Sequence, residues 1–193
     1  MELADAAERR RLDRALRSGI IDGIREQVPA TRTVLIRTDH PQAVVDALRA
    51  IDLAALPEAD QASGKEVVIP VTYDGEDLAE VAEILGTTVE DVIARHTGQW
   101  WTVEFSGFAP GFAYLLGEHG NMAVPRRSSP RTRIPPGSVG LAGEFSGVYP
   151  KASPGGWQLI GRTDLAVWDP EREQPALLGP GLRVRFVRAG EAR

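Results

Sequence analysis

The chain has no cysteine among its 193 residues. That excludes a disulfide framework, thiolate chemistry and any cysteine-based metal site, and it fits a reducing, cytoplasmic setting. Histidine is scarce. His40, His96 and His119 are the only three, and their spacing is not that of metal ligands, so no metal site is expected. No apolar run approaches the ~20 residues that span a bilayer. Met1–Arg17 carries both signs of charge and no apolar core, which argues against a secretory signal. Cations are the minority charge, 22 Lys and Arg against 27 Asp and Glu, giving a formal net charge of −5. This balance argues against nonspecific binding to nucleic acid. Neither a Walker loop nor a nucleophile elbow is present.

Against this background one stretch stands out, Ser106–Thr163. It holds 11 of the 20 glycines and 7 of the 14 prolines. Such density alone suggests loops or disorder. Here, however, Phe108, Phe112, Tyr114, Tyr149 and Trp157 are interleaved with it, and disordered segments are poor in aromatics. An ordered, tightly turned β region is the better reading. The stretch is also basic. Arg126, Arg127, Arg131, Arg133, Lys151 and Arg162 stand against only Glu118 and Glu144. Planar guanidinium groups on rigid turns suit carboxylate or phosphate. Arg126, Arg131 and Arg162 sit beside Pro or Gly and read as anion ligands. Arg127 and Arg133 read equally well as solubilising charge.

In chain order, Glu2–Ile24 reads as a helix with Leu12, Leu16 and Ile20 on one face. Thr33–Thr38 is a strand, and Pro41–Ile51 a helix with Asp39 as candidate cap. Leu53–Gly64 is linker-like. Glu66–Tyr73 is a strand whose Pro70 suggests an edge or bulge. Two helices follow, Asp77–Leu85 and Val89–His96, the second opened by a capping box within Thr87–Glu90. Their rhythm is that of a DNA-binding pair, but acids open the second helix and would face phosphate, so a packing role is expected. Trp100–Phe105, Leu165–Trp168 and Leu182–Arg188 read as strands, the first half-buried, with Trp101, Val103 and Phe105 alternating against Trp100, Thr102 and Glu104. Many short strands between Gly/Pro turns predict a closed or nearly closed barrel.

The motifs also carry a family resemblance. Gly107-Phe108-Ala109-Pro110-Gly111-Phe112-Ala113-Tyr114-Leu115, the Pro125-Arg126 and Pro130-Arg131 pairs, Pro136-Gly137-Ser138-Val139, Tyr149-Pro150, Ser153-Pro154-Gly155-Gly156-Trp157 and Ile160-Gly161-Arg162-Thr163 resemble the family of 5-oxoprolinase B subunits, which also goes by the name of allophanate hydrolase subunit 1. The resemblance implies an α+β chain, with a small N-terminal α/β domain over residues 1–98 and a cyclophilin-like β-barrel domain over 99–193. It also implies ATP-dependent opening of a small cyclic amide, 5-oxoproline, to glutamate, or related allophanate chemistry. Phosphorylation of the amide oxygen would supply the leaving group that an unactivated amide lacks. No complete nucleotide site or carboxylate cluster for Mg is evident in the basic stretch. This is consistent with what the resemblance implies: ATP with Mg held largely by a larger hydrolase subunit sharing the active site, with room for a third subunit. Inactivity of the isolated chain follows.

Catalytic candidates are Arg126, Arg131, Arg162, Tyr149 and His96. His96 resembles a histidine that precedes the family's glycine–phenylalanine motif, though it also sits where a helix end favours a cation. Substrate-binding candidates are Gly107, Phe108, Pro110, Gly111, Phe112, Ser138, Gly155, Gly156 and Trp157. The 107–111 segment could present backbone N–H groups to an anion or could simply be a tight turn. Family members open with a strand bearing a Gly-Asp-x-Ala-type stretch. This sequence opens at the helix, so that strand is expected to be missing. The family also includes an inhibitor of a sporulation histidine kinase, so a non-catalytic binding module is the alternative function.

Overall fold

The computed structural model describes residues 2–57 and 66–190. The chain divides into two compact units, Met1–Gln61 and Ala62–Arg193.

In the first unit, helix α1 is Ala6–Arg17. Asp5 caps it by accepting the Glu8 N–H at 2.8 Å, with arginines in its last turn. The helix is shorter than its periodicity predicts. Gly19 and Gly23 both take positive φ, which glycine tolerates and helices do not. The chain therefore turns into a strand that the helical reading hides, β1 (Ile24–Pro29). Ile20, expected on the buried stripe, is 50% exposed. Strand β2 (Val34–Thr38) pairs antiparallel with β1, and helix α2 is Pro41–Ala50. His40, not Asp39, occupies the cap position, and Asp39 pairs with Arg25. Leu12, Leu16, Val34 and Val44 form this unit's small core. A groove of about 490 Å³ runs between β2 and α2. Its walls are apolar apart from Thr38 and Arg49, so it offers no set of groups for catalysis.

The second unit is built on a seven-stranded sheet. Its strands are β3 (Glu66–Val71), β4 (Trp101–Ser106), β5 (Ala113–Gly117), β7 (Ser138–Ala142), β8 (Phe145–Val148), β10 (Gln158–Arg162) and β11 (Arg183–Arg188). Strands β6 (Arg131–Ile134) and β9 (Ser153–Gly155) form a separate two-stranded ribbon. The sheet order is β10-β7-β8-β5-β4-β11-β3. β3 runs parallel to β11, and the other pairings are antiparallel.

The two ends of this order meet just beyond β3. The Thr72 N–H donates to the Arg162 carbonyl at 2.8 Å, and the Arg162 N–H returns a bond to the Thr72 carbonyl at 2.9 Å. This pair nearly closes the sheet into a barrel. Gly161 and Gly75 line the seam, and a Cβ at either would overlap a backbone carbonyl across it, that of Thr72 or of Leu159. Pro70 lies on β3, the terminal strand, where its missing N–H costs no ladder bond. Ile69, Val103, Leu115, Val139, Ile160 and Phe186 fill the interior.

Helices α3 (Leu78–Ile84) and α4 (Val89–Thr97) pack into the same core through Val81, Val92 and Ile93. The capping box is present, but it uses Thr88 and Asp91. Three expectations need correction. The expected domain boundary after residue 98 differs from the observed one, because β3, α3 and α4 belong to the barrel unit. Leu165–Trp168 forms no strand, only a single bridge between Trp168 and Ala176. Glu104, expected on the exposed face of its strand, is buried, since the register shifts between Val103 and Phe105. The Leu53–Gly64 linker lies partly outside the described residues. Among the described residues no helix is long and apolar enough to cross a membrane.

Candidate functional site

The turn between β4 and β5 opens the site. The N–H groups of Gly107, Ala109 and Phe112 bond to carbonyls of Phe112, Gly107 and Ala109 at 3.2, 2.7 and 3.0 Å. These three amides are spent within a tight turn. Pro110 is exposed at its tip. Gly111 takes φ +82°, and a Cβ there would sit 2.6 Å from that of Trp168. Phe108 has φ 66° and is the one non-glycine with positive φ among the described residues. It is also 56% exposed. A bulky residue in this region costs about 1–3 kcal/mol, and here little burial offsets it.

The ring of Phe108 meets Phe112 and Tyr149 edge-on, with centroids 5.3 and 6.1 Å apart. Phe112 in turn meets Trp157 at 5.2 Å. Tyr114 stacks on Phe105 at 4.3 Å and meets Trp157 edge-on at 5.6 Å. Gly155 lies against the Tyr149 hydroxyl and leaves no room for a Cβ. Burial pushes the Tyr149 phenol up to about 12, opposed by the Arg126 charge and a bond from the Trp157 backbone N–H. Burial likewise raises the Tyr114 phenol, and Arg126 again opposes it. Both phenols are therefore hydrogen-bond donors at neutral pH. Arg126 itself is exposed, and among the described residues it pairs with no acid. An aromatic wall with one free guanidinium beside two phenols can hold a small, flat molecule bearing a carboxylate.

Because the strain at Phe108 is not repaid by packing, replacement should be tolerated. Phe108→Gly is expected to leave the thermal midpoint unchanged or raise it slightly, although an aromatic side chain is lost. A thermal melt of the purified variant checks this; a drop of more than about 4 °C, roughly 1 kcal/mol or more, would assign the ring a packing role.

The other arginines are differently placed. Arg127 Nη1 and Arg131 Nη2 both donate to Asp77 Oδ1, at 2.6 and 2.7 Å. Arg131 Nη2 also reaches Glu76 at 3.0 Å, and Arg162 bonds Asp74 at 2.9 Å. Arg131 and Arg162 are therefore matched within the chain, and Arg162 sits at the barrel seam. Ser138 is buried, and its carbonyl accepts the Tyr149 N–H at 2.9 Å. The Gly156 carbonyl accepts the Arg127 N–H at 2.8 Å.

His96 lies elsewhere, in the core. Nδ1 is 2.7 Å from the Tyr73 hydroxyl and Nε2 is 2.9 Å from Ser146 Oγ. The ring stacks on Phe186 at 4.2 Å. Burial lowers its pKa to about 3. It is a neutral bridge between two hydroxyls, without access to a substrate. Tyr114 and Asp77 are site residues that sequence reasoning misses. The aromatic spacing in β5 could have pointed to Tyr114. Asp77 gives no signal beyond that of an ordinary helix cap.

The described residues contain no cluster of three or more His, Cys, Asp or Glu that could hold a metal. Asp74, Glu76 and Asp77, the acids that meet the arginines of the basic stretch, are each paired to one.

A family model described as carboxyltransferase domain, subdomain C and D, matches residues 1–178. The 5-oxoprolinase B subunit of Bacillus subtilis (strain 168) is 49% identical over 142 residues, covering 72% of this chain and 59% of that protein. The chain thus matches about three fifths of the length of that relative. The 5-oxoprolinase B subunit of Escherichia coli O157:H7 is 41% identical over 169 residues, covering 84% of this chain and 77% of that protein. Among solved structures, the Kluyveromyces lactis urea carboxylase matches with a TM-score of 0.75 at 21% identity, covering 95% of this chain and 20% of that one. At that identity the likeness speaks for the fold. With its barrel, its turn motifs and these matches, the chain belongs to the carboxyltransferase-domain family, subdomain C and D, together with the 5-oxoprolinase B subunits.

Proposed function

We propose that this chain is a subunit of a cytoplasmic, ATP-dependent amide hydrolase. It acts on 5-oxoproline, or on an allophanate-like amide, and completes an active site with a larger partner subunit. The observation that carries this reading is Arg126, a guanidinium without an acid partner among the described residues, set beside Tyr114 and Tyr149 at an aromatic wall. It would hold the substrate carboxylate, while the exposed ring of Phe108 covers the flat face of the amide. The half-buried Tyr114 phenol, kept protonated, would donate to a substrate oxygen. The names of the relatives support the substrate class. The nucleotide falls to the partner in this reading, since Asp74, Glu76 and Asp77 are already spent on arginines.

The test is ATP turnover dependent on 5-oxoproline, measured with this chain alone, the larger subunit alone, and both together. Glutamate should form only in the mixture. Full turnover by the partner alone, or a stable complex inert toward both amides, would overturn the proposal.

A further inference from the structure

Arg126 sits on an exposed loop, yet the loop is tied down on both sides of it. On one side, the Pro125 carbonyl accepts a long 3.5 Å bond from Gln158 Nε2. On the other, the Arg127 N–H donates to the Gly156 carbonyl at 2.8 Å, and the Arg127 side chain reaches Asp77. Four residues on, Arg131 pairs across the ribbon with Gly155, the residue that lies against Tyr149.

Asp77 is where these ties converge. It is 2% exposed. It occupies the cap position of α3, but its side chain makes no capping bond. Its carboxylate serves other groups: Oδ1 accepts from both guanidiniums, and Oδ2 accepts the Leu159 N–H at 2.7 Å. Its own N–H donates to the Leu159 carbonyl at 3.0 Å. One carboxylate thus joins the 125–131 loop, the start of α3 and strand β10. It also sorts the charge. Of the three loop arginines, 127 and 131 are neutralised by Asp77 and Glu76, and only Arg126 finds no acid among the described residues.

From this geometry we propose that Asp77 is the positioning residue for Arg126. It fixes the flanks of the loop so that one free guanidinium faces the Tyr114–Tyr149 wall. The inference rests on the proposed role of Arg126 in holding a carboxylate. Loss of the Asp77 charge leaves two crowded guanidiniums without a shared countercharge, and the loop can no longer hold Arg126 in register.

The test is a double-mutant cycle in the assembled complex, with 5-oxoproline and ATP, using Asp77→Asn, Arg126→Gln and the pair. Each single change is expected to raise KM for 5-oxoproline about ten-fold with kcat within about two-fold, and the pair should be no worse than Arg126→Gln alone. Effects that multiply in the double variant would overturn the inference, as would a fall in Tm with KM unchanged. A second readout needs no turnover: the ¹⁵Nε–H resonance of Arg126 in the isolated chain should shift and broaden in Asp77→Asn, and an unchanged resonance would overturn the inference. A wild-type complex that turns over nothing would sink the proposed substrate instead, and the resonance would still decide the role of Asp77. If Asp77→Asn does not fold, Arg131→Gln, which cuts one tie to the same carboxylate, is carried through the same cycle and the same resonance.

Discussion

Gly161→Ala is expected to destabilise the barrel unit by about 3 kcal/mol or more, and to lower its thermal midpoint by roughly 6–12 °C. The reason lies at the seam. The added Cβ would overlap the Thr72 carbonyl oxygen and press on the Val71 side chain and the Tyr73 backbone. These neighbours are not the ends of flexible side chains that can swing aside. Thr72 and Arg162 exchange two hydrogen bonds there, so relief of the overlap must weaken the pair that closes the sheet. Gly161 lies outside the left-handed region, so alanine carries no left-handed backbone penalty there, which isolates the overlap as the cause. Gly179→Ala is the control, since a Cβ there meets nothing within 4 Å. Denaturation of both variants decides the matter, and a Gly161→Ala midpoint equal to that of the control would show the seam to be pliable.

Mild acid should weaken the barrel unit well before its carboxylates titrate. His96 is held neutral, with its pKa lowered by burial from 6.5 to about 3. In the unfolded chain the imidazole takes up a proton near pH 6.5. The sign follows from proton counting: between the two pKa values the unfolded state binds one more proton than the folded state, so stability falls as pH falls. The contribution of His96 is complete above about 6.5 and is lost progressively down to the folded value, at about 1.4 kcal/mol per pH unit. Urea midpoints at pH 7 and pH 5 should differ by about 2 kcal/mol in unfolding free energy. His96→Gln should be less stable at pH 7 but should lose this part of the slope. An unchanged slope in that variant would assign the acid sensitivity to other groups.

Much of the fold is legible in the sequence because its signals are local. Pro70 marks an edge strand, Gly86 and Thr88 bracket two helices, and the Gly/Pro punctuation between aromatics announces short strands. β1 is hidden because Leu12, Leu16 and Ile20 continue a helical rhythm, and only the positive φ at Gly19 and Gly23 breaks it. The Leu165–Trp168 run has the composition of a strand but finds only one bridging partner.

The site is legible in part. Phe108, Phe112, Tyr149 and Trp157 lie within one motif-rich stretch and do come together. The arginines cannot be sorted by sequence, because their fates depend on acids 50 to 88 residues away. Arg127 and Arg131 meet Asp77, Arg162 meets Asp74, and Arg126 meets none among the described residues. No local pattern distinguishes an aspartate that caps a helix from one that holds two guanidiniums.

The parallel pairing of β3 with β11 has a consequence for synthesis. Residues 66–71 are made first and wait for residues 183–188, roughly 110 residues later. At the usual pace of translation that delay is on the order of ten seconds. Until then Ile69 and Val71, fully buried in the finished barrel, have no neighbour along that flank. A nascent chain of this protein therefore passes through an interval with an open apolar strand, in which a chaperone that shields such strands would raise the yield of folded product.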